Sequence, residues 1–587
     1  MKKYLIWIGL FSAFAAFAQS RANFGQQNAA TSQQLPAEIK PALESITGGE
    51  LFKHIKVLAS DEYEGRAPGT RGETVTVNYL VEQFKQSGLK PGNPDGTYLQ
   101  KVPLVGFTSR PSFSLSVNGK QTALNFPEDY VARSRRLQTE VTVKNSEIIF
   151  AGYGIVAPEY GWDDFKNVDA RGKTLIVLDG EPQIPDPLDA SKPDEGMFKG
   201  KVATYHGTRP YKYEIAAQKG AAAVLVVHDP ATAYASFKVV QNNFQREAFA
   251  IKQAANGKLA AVEGWIALDA ARRLFAAANH DFNSLRQAAL SKNFKAAPLG
   301  ANANFNGKIK WRGIESRNVV AKIEGSDKRL KNEYVIYTAH WDHLGRDEKL
   351  KGDQIYNGAI DNAAGTAQML EIAEGFAKLK KPPKRSILFI ATTAEEKGLL
   401  GAKYYAANPL YPLKRTLANI NLDACNVWGR TSDVNNLGYG LTTLDDVLTE
   451  SAKTQKRIFL REPFANGIYF FLSDQLEFAR AGIPAVFPGS GNNYIGKSAD
   501  FGDKKWDDYG KNDYHQVSDE VKADWDMSGA VEDAQWLLQI GYRVAQGAKF
   551  PEWKPGAEFK ARRNEMLKRA KGKNSKYTFK LTVRKKL

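Results

Sequence analysis

Residues 334–343 read Tyr-Val-Ile-Tyr-Thr-Ala-His-Trp-Asp-His, an apolar run of β-branched and aromatic residues that stops on two histidines and a carboxylate. The pattern predicts a buried strand whose C-terminal end delivers polar side chains. Three further places in the chain repeat it. The run 386–391 leads into Glu395-Glu396, the run 418–422 leads into Asp423, and Asp361 opens the helical stretch after the first strand. In an open, mostly parallel α/β sheet, ligands sit in the crevice beyond the carboxyl ends of the strands. His340, Asp361, Glu395, Glu396 and Asp423 are therefore expected to converge.

Working outward, strands are predicted at 319–323, 334–339, 386–391, 418–422 and 483–487. Helices are predicted at 365–379, 399–407, 441–454 and 527–545. Such alternation argues an α/β fold, a mostly parallel or mixed sheet with helices on both faces. Upstream, helical periodicity at Leu51-Ile55-Leu58 and Val75-Tyr79-Leu80-Phe84 flanks the turn-rich stretch 64–72, Glu-Gly-Arg-Ala-Pro-Gly-Thr-Arg-Gly. Short alternating runs between 102 and 143 predict strands. A composition shift near Asn145 opens a smaller, β-rich unit with a strand at 173–178, a helix at 213–219 and a strand at 222–227. It is expected to close near Gly300 in an Ala-, Asn- and Gly-rich return linker. The division expected is a signal peptide at 1–18, a flexible lead-in at 19–45 and the first part of the main domain at 46–144. An inserted domain at 145–300, the catalytic domain at 301–549 and a basic tail at 550–587 complete it.

At 587 residues the chain is too long for one ordinary core, and 43% hydrophobic with 25% charged residues is a globular composition. Lys2 and Lys3, an apolar run from Leu5 to Phe17 and the small-x-small site Ala16-Phe17-Ala18 predict a secretory signal peptide, so the protein is expected to be exported, periplasmic or extracellular. The single cysteine, Cys425, excludes an intramolecular disulfide and is read as a packed residue. The net charge of +17 includes Arg562, Arg563, Lys568, Arg569 and further cations in the tail. The expectation is a solvated tail in weak contact with an anionic envelope surface. No nucleic acid partner is expected, since no phosphate loop or nucleic-acid module accompanies the charge.

Zinc in a catalytic site takes imidazole and carboxylate ligands and keeps an open position. His340, Asp361, Glu396, Asp423 and His515 supply two imidazoles and three carboxylates, enough for two ions if one carboxylate bridges. Asp361 is the natural bridge. Glu395 cannot point the same way as its neighbour Glu396 along an extended backbone, which frees it to act as general base. Asp342, two residues after His340, is placed to accept the second N–H of that imidazole. His54, His206, His228 and His280 are read as surface or packed residues, and His343 as packing behind the ligands.

The motifs Ala339-His340-Trp341-Asp342-His343, Gly358-Ala359-Ile360-Asp361-Asn362-Ala363-Ala364-Gly365, Thr393-Ala394-Glu395-Glu396-Lys397-Gly398, Asn421-Leu422-Asp423 and Tyr514-His515 together resemble the ordered signature of the M28 zinc metallopeptidases. The resemblance implies an aminopeptidase-like α/β fold, two zinc ions per chain and a peptide substrate. It matches His340, Asp361 and Asp423 to one ion, Asp361, Glu396 and His515 to the other, and Glu395 to the base. It departs at Gln475, where the family often has His after Ser-Asp. The family also uses a group near the substrate carbonyl, for which Tyr494, Tyr509 and Tyr514 stand as candidates. The insert resembles a protease-associated domain through Gly152-Tyr153-Gly154-Ile155, Arg171-Gly172-Lys173 and Lys219-Gly220-Ala221-Ala222-Ala223. The activity expected is release of N-terminal residues. The alternatives are a carboxypeptidase, a glutaminyl cyclase on the same fold, and a noncatalytic binding protein.

Overall fold

In the computed structural model, which describes residues 37–117, 119–233, 235–252, 259–461 and 467–569, Tyr334–His340 is the middle strand of a parallel array. It pairs with Ser386–Thr392 on one side and Thr416–Asn421 on the other, and the latter continues to Ala485–Ser490. Every residue of the first three strands is buried. They read as unbroken apolar runs because a parallel sheet is covered on both faces.

Successive side chains point to opposite faces. Val335, Tyr337, Ala339, Ile387 and Phe389 enter one core, with Leu51, Leu80, Met369 and Leu538 from the helices Gly48–Leu58, Arg71–Gln86, Gly365–Ala377 and Ser528–Gln546. Tyr334, Ile336, Leu388 and Ile390 enter the other, with Tyr405 and Phe478 from Leu400–Ala407 and Gln475–Arg480. Antiparallel strands extend the array at both edges: Ala297–Ile323 and then Leu99–Ser109 on one side, Asp433–Leu437 on the other. This is the mixed α/β architecture expected from the alternation of elements.

A second sheet holds Glu140–Phe150, Thr174–Leu178, Ala223–His228 and Val262–Ala267, successive neighbours lying parallel, with Tyr130–Arg133 antiparallel at its edge. Two expectations change here. The 27-residue strand Ala297–Ile323 runs through both sheets, pairing with Ser112–Val117 and Glu140–Phe150 before it pairs with Leu99–Ser109, so Gly300 lies inside a strand and not in a linker. The second sheet also takes in Ser112–Val117 and Tyr130–Arg133, well before Asn145. The composition shift at 145 falls within Glu140–Phe150, where alternating burial gives way to full burial as the strand passes under cover.

Residues 551–569 are likewise not a solvated tail. Trp553 and Phe559 are buried, and Arg563 donates to the carbonyls of Leu413 and Thr416. Two aromatic anchors outweigh the basic composition of the segment. The expected signal peptide at 1–18, the start of the lead-in and residues 570–587 lie outside the described residues. Among the described residues no helix is long and apolar enough to cross a membrane.

Candidate active site

The strand carrying His340 and the strand carrying Thr392 end side by side, in register. His340 Nε2 lies 3.1 Å from Asp423 Oδ1 and 3.3 Å from Asp361 Oδ1. On the far side of the same carboxylate, Asp361 Oδ2 lies 3.1 Å from His515 Nε2, which is 3.2 Å from Glu396 Oε2. Asp361 thus stands between two donor sets. One atom each from His340, Asp361 and Asp423 lie within 4.8 Å of one another, and so do atoms of His343, Asp361 and Glu396.

Local chain geometry sets Asp361. Gly358 adopts φ 56°, and a Cβ there would sit 2.2 Å from the Asp361 carbonyl oxygen, so the turn needs glycine. Asn362 ties this turn to the next ligand loop. Its Nδ2 donates to the Leu422 carbonyl, and its Oδ1 accepts from the amides of Gly365 and Ala424. Glu395 follows Ala394, at φ 54°, and its amide donates to Asp342 Oδ1 at 3.0 Å.

Asp342 differs from expectation in its contacts. The oxygen at 3.0 Å from His340 Nδ1 is the Asp342 main-chain carbonyl, with the carboxylate at 3.9 Å. The tight turn after the strand brings the carbonyl round first, and the side chain instead holds the Glu395 loop. His343 sits closer than a packing role requires. Its Nδ1 is 2.8 Å from Glu396 Oε1, and its ring lies edge-on to His515 with centroids 5.7 Å apart. The His-x-x-His spacing at a strand end was the signal for it.

The electrostatics fit a cation. Among the described residues, the close ion pairs of Asp361, Glu396 and Asp423 are all with histidines. Burial opposes charge on His515, yet Glu396 and Asp361 raise it to about 10. Burial pushes Glu395 well above the usual carboxylate range, with Asp423, Glu396 and Asp474 adding to the effect. A pocket of clustered carboxylates asks for positive charge, and imidazole plus carboxylate oxygen is a donor chemistry that zinc accepts. The residues fit two such ions sharing Asp361.

Residues 318–538 match the sequence profile of peptidase family M28. They form an M28 peptidase domain. Similar proteins include the aminopeptidase YwaD of Bacillus subtilis, 36% identical over 110 residues that are 18% of this chain and 22% of that one. The vacuolar membrane protease of Lodderomyces elongisporus is 28% identical over 170 residues, 29% of this chain and 16% of that one. The chain thus spans less than a quarter of the length of either relative. Among solved structures, the aminopeptidase from Aneurinibacillus sp. strain AM-1 aligns with a TM-score of 0.48 at 18% identity, covering 87% of this chain and 97% of that one.

Around the M28 domain's ligand crevice, the three candidate tyrosines separate. Tyr494 donates to Asn426 Oδ1 and Tyr509 to Asp519 Oδ2, both buried. Tyr514 is 45% exposed and stacks on the His515 ring at 3.9 Å. Gln475 is buried, accepting from Asn421 and donating to the Phe470 carbonyl, so the departure from the family pattern falls beneath the Asp423 strand. Cys425 is buried and its thiol is pushed up by burial, as a packed residue should be. His54, His206 and His228 bond elsewhere, to Tyr79, Glu159 and the Ala235 carbonyl.

Proposed function

We propose that the protein is an exported exopeptidase that carries two zinc ions and releases N-terminal residues from peptides. The observation that carries this reading is the pair of donor sets sharing Asp361 with Glu395 beside them. His340 and Asp423 would hold one ion, Glu396 and His515 the other, and Asp361 both. Zinc so bound supplies Lewis acidity to a peptide carbonyl and to water.

The chain's own residues do the rest. Glu395, held by its amide to Asp342, takes a proton from the attacking water and returns it to the leaving amine. Tyr514, the most exposed of the three tyrosines and stacked on His515, is the candidate to donate to the substrate carbonyl. Amino-terminal recognition is supported by the fate of the nearby cations. Lys397, next to Glu396, lies over the Phe249 ring, and Arg480 is bound to Glu214 and Glu477. Lys497 lies over the Phe501 ring.

The test uses one peptide in three forms: free at both ends, N-acetylated and C-amidated. Acetylation is expected to block hydrolysis and amidation to leave it intact, with activity lost on chelation and restored by zinc. The opposite pattern makes the enzyme a carboxypeptidase, and cyclisation of an N-terminal Gln without hydrolysis makes it a cyclase. For export, the mature N-terminus by mass analysis is expected near Gln19.

A further inference from the structure

Among the described residues four buried arginines donate to main-chain carbonyls; Arg385 and Arg457 also pair with Glu333 and Asp533, whereas Arg66 and Arg563 pair with no carboxylate, and these two stand in different company. Arg563 reaches the carbonyls of Leu413 and Thr416, away from the ligand crevice. Arg66, 1% exposed, reaches four carbonyls on three segments. Nε donates to Trp341, Nη1 to Leu58 and Asn357, and Nη2 to Gly358, at 2.6 to 2.9 Å. Burial lowers both guanidinium groups to about 10, but only Arg66 has Asp361, Asp519, Asp342 and Glu396 pulling the other way.

Three of the four carbonyls that Arg66 grips flank the ligands, the fourth being that of Leu58. Trp341 follows His340, and Asn357 and Gly358 lead into Asp361. The amides of the same stretch face a charge of the other sign. Asp519 Oδ1 accepts from Ile360 N at 3.0 Å, Asp519 Oδ2 from Asp361 N at 3.1 Å, and its main-chain oxygen from Ala359 N at 3.0 Å. The turn that presents Arg66 is built for close approach. Gly65 has φ 62°, and a Cβ there would lie 2.5 Å from the carbonyl oxygens of both Gly345 and Tyr356.

We propose that Arg66 and Asp519 are a pair of positioning residues that fix the bridging carboxylate Asp361, a cation holding the carbonyls of residues 357–358 and an anion holding the amides of residues 359–361. The inference rests on the two-zinc reading and extends it to the N-terminal segment. Arg66 lies outside residues 318–538, so the M28 domain takes part of its ligand scaffold from a loop that precedes the insert. Lysine cannot replace it, because one ammonium with three donors cannot span three segments as the planar guanidinium does. In Asp519→Asn, the Nδ2 donor would face a backbone N–H that now meets an oxygen.

The test measures zinc affinity of metal-free protein by competition with a chromophoric chelator, for wild type, Arg66→Lys, Asp519→Asn and Arg563→Lys. Circular dichroism and thermal melting accompany each. The expected result is a zinc affinity lower by about 10- to 100-fold in Arg66→Lys and Asp519→Asn, at both sites, since Asp361 would serve both ions. Turnover should fall with it while KM holds. Arg563→Lys should lower the melting temperature and leave zinc affinity alone. Wild-type zinc affinity in folded Asp519→Asn, or in Arg66→Lys, overturns the proposal, as does an equal loss in Arg563→Lys. Asp519→Asn decides the matter by itself if Arg66→Lys does not fold. Wild-type protein that binds no zinc instead overturns the two-zinc reading on which the pair depends.

Discussion

The two sheets each end a parallel array in a cluster of carboxylates, and they resolve the resulting charge in opposite ways. In the second sheet, Asp179 and Glu181 follow the strand Thr174–Leu178, with Asp164 nearby. Lys212, from the helix Arg209–Gln218, is buried among them, its Nζ donating to the carbonyls of Tyr153 and Gly180 at 2.7 Å each. Glu181 accepts from the amide and hydroxyl of Thr204, and Asp164 from Ile155 N and Trp162 Nε1. The chain supplies its own counter-charge there, and the cluster closes. In the main sheet, the close ion pairs of Asp361, Glu396 and Asp423 among the described residues are with imidazoles, and the buried Arg66 is committed to carbonyls. A crevice at strand ends becomes a site where the chain withholds the neutralising charge, not merely where acids gather.

The largest effects come from the open cluster. Glu395→Gln is expected to lower turnover by about 10² to 10⁴ while metal analysis still finds two zinc ions. Glu396→Gln, at the adjacent position, is expected to loosen one ion. Normal turnover in metal-loaded Glu395→Gln would show that the base lies elsewhere and that the contrast between the sheets concerns metal alone.

The closed cluster gives the next effect, in stability. Removing one member of a buried charge group leaves the others unpaired, so Lys212→Met is expected to cost about 3–5 kcal/mol near pH 7.5, read by denaturant melts, with zinc content unchanged. Burial raises Glu181 to about 7 and Asp164 to about 6. Raised carboxylates contribute stability that is present below their unfolded values and lost as pH rises through about 6 to 7. Lys212 holds them down by its charge, so in its absence that loss steepens. The deficit of Lys212→Met should therefore shrink from pH 7.5 to pH 5, as neutral carboxyls cease to need a cation. Lys212 itself, lowered to about 8 by burial, acts with the opposite sign and above that window. A deficit independent of pH would mean that the lysine stem packs and its charge does not matter.

The contrast also shows what the linear chain discloses. Strand-end donors were legible because each is a local pattern, an apolar run followed at once by His, Asp or Glu, and the helices behind them followed from periodicity. Closure by Lys212 was not legible, since a lysine inside a helix reads as a solvated face until the fold buries it. Arg66 meets Trp341 across 275 positions, and nothing in a turn-rich loop announces that its arginine points inward. Asn362 and Asp519 act through their side chains on a backbone set elsewhere, with the same result. The edge of the second sheet escaped because Glu140–Phe150 changes its burial partway along, and composition follows burial more closely than it follows pairing.

The smallest effect tests where the two regions touch. Arg480, from the helix Gln475–Arg480, bonds both oxygens of Glu214 at 2.6 Å, and Glu214 also accepts from Tyr205. This bridge ties the Lys212 helix to the face of the main sheet opposite the Arg66 side. Both side chains keep about a quarter of their surface in water, at 21% and 26% exposed, so screening limits the pair. Arg480→Gln is expected to cost on the order of 1 kcal/mol or less, a small drop in melting temperature. Its value lies in the second readout. With its guanidinium committed to glutamates, Arg480 has no free fork for a substrate carboxylate, so Arg480→Gln should leave KM alike for the free-acid and amidated forms of one peptide. If KM rises for the free acid alone, the arginine leaves Glu214 to read a C-terminus. The interface would then be part of the active site, and the protein would be a carboxypeptidase that borrows its specificity from the contact between its two sheets.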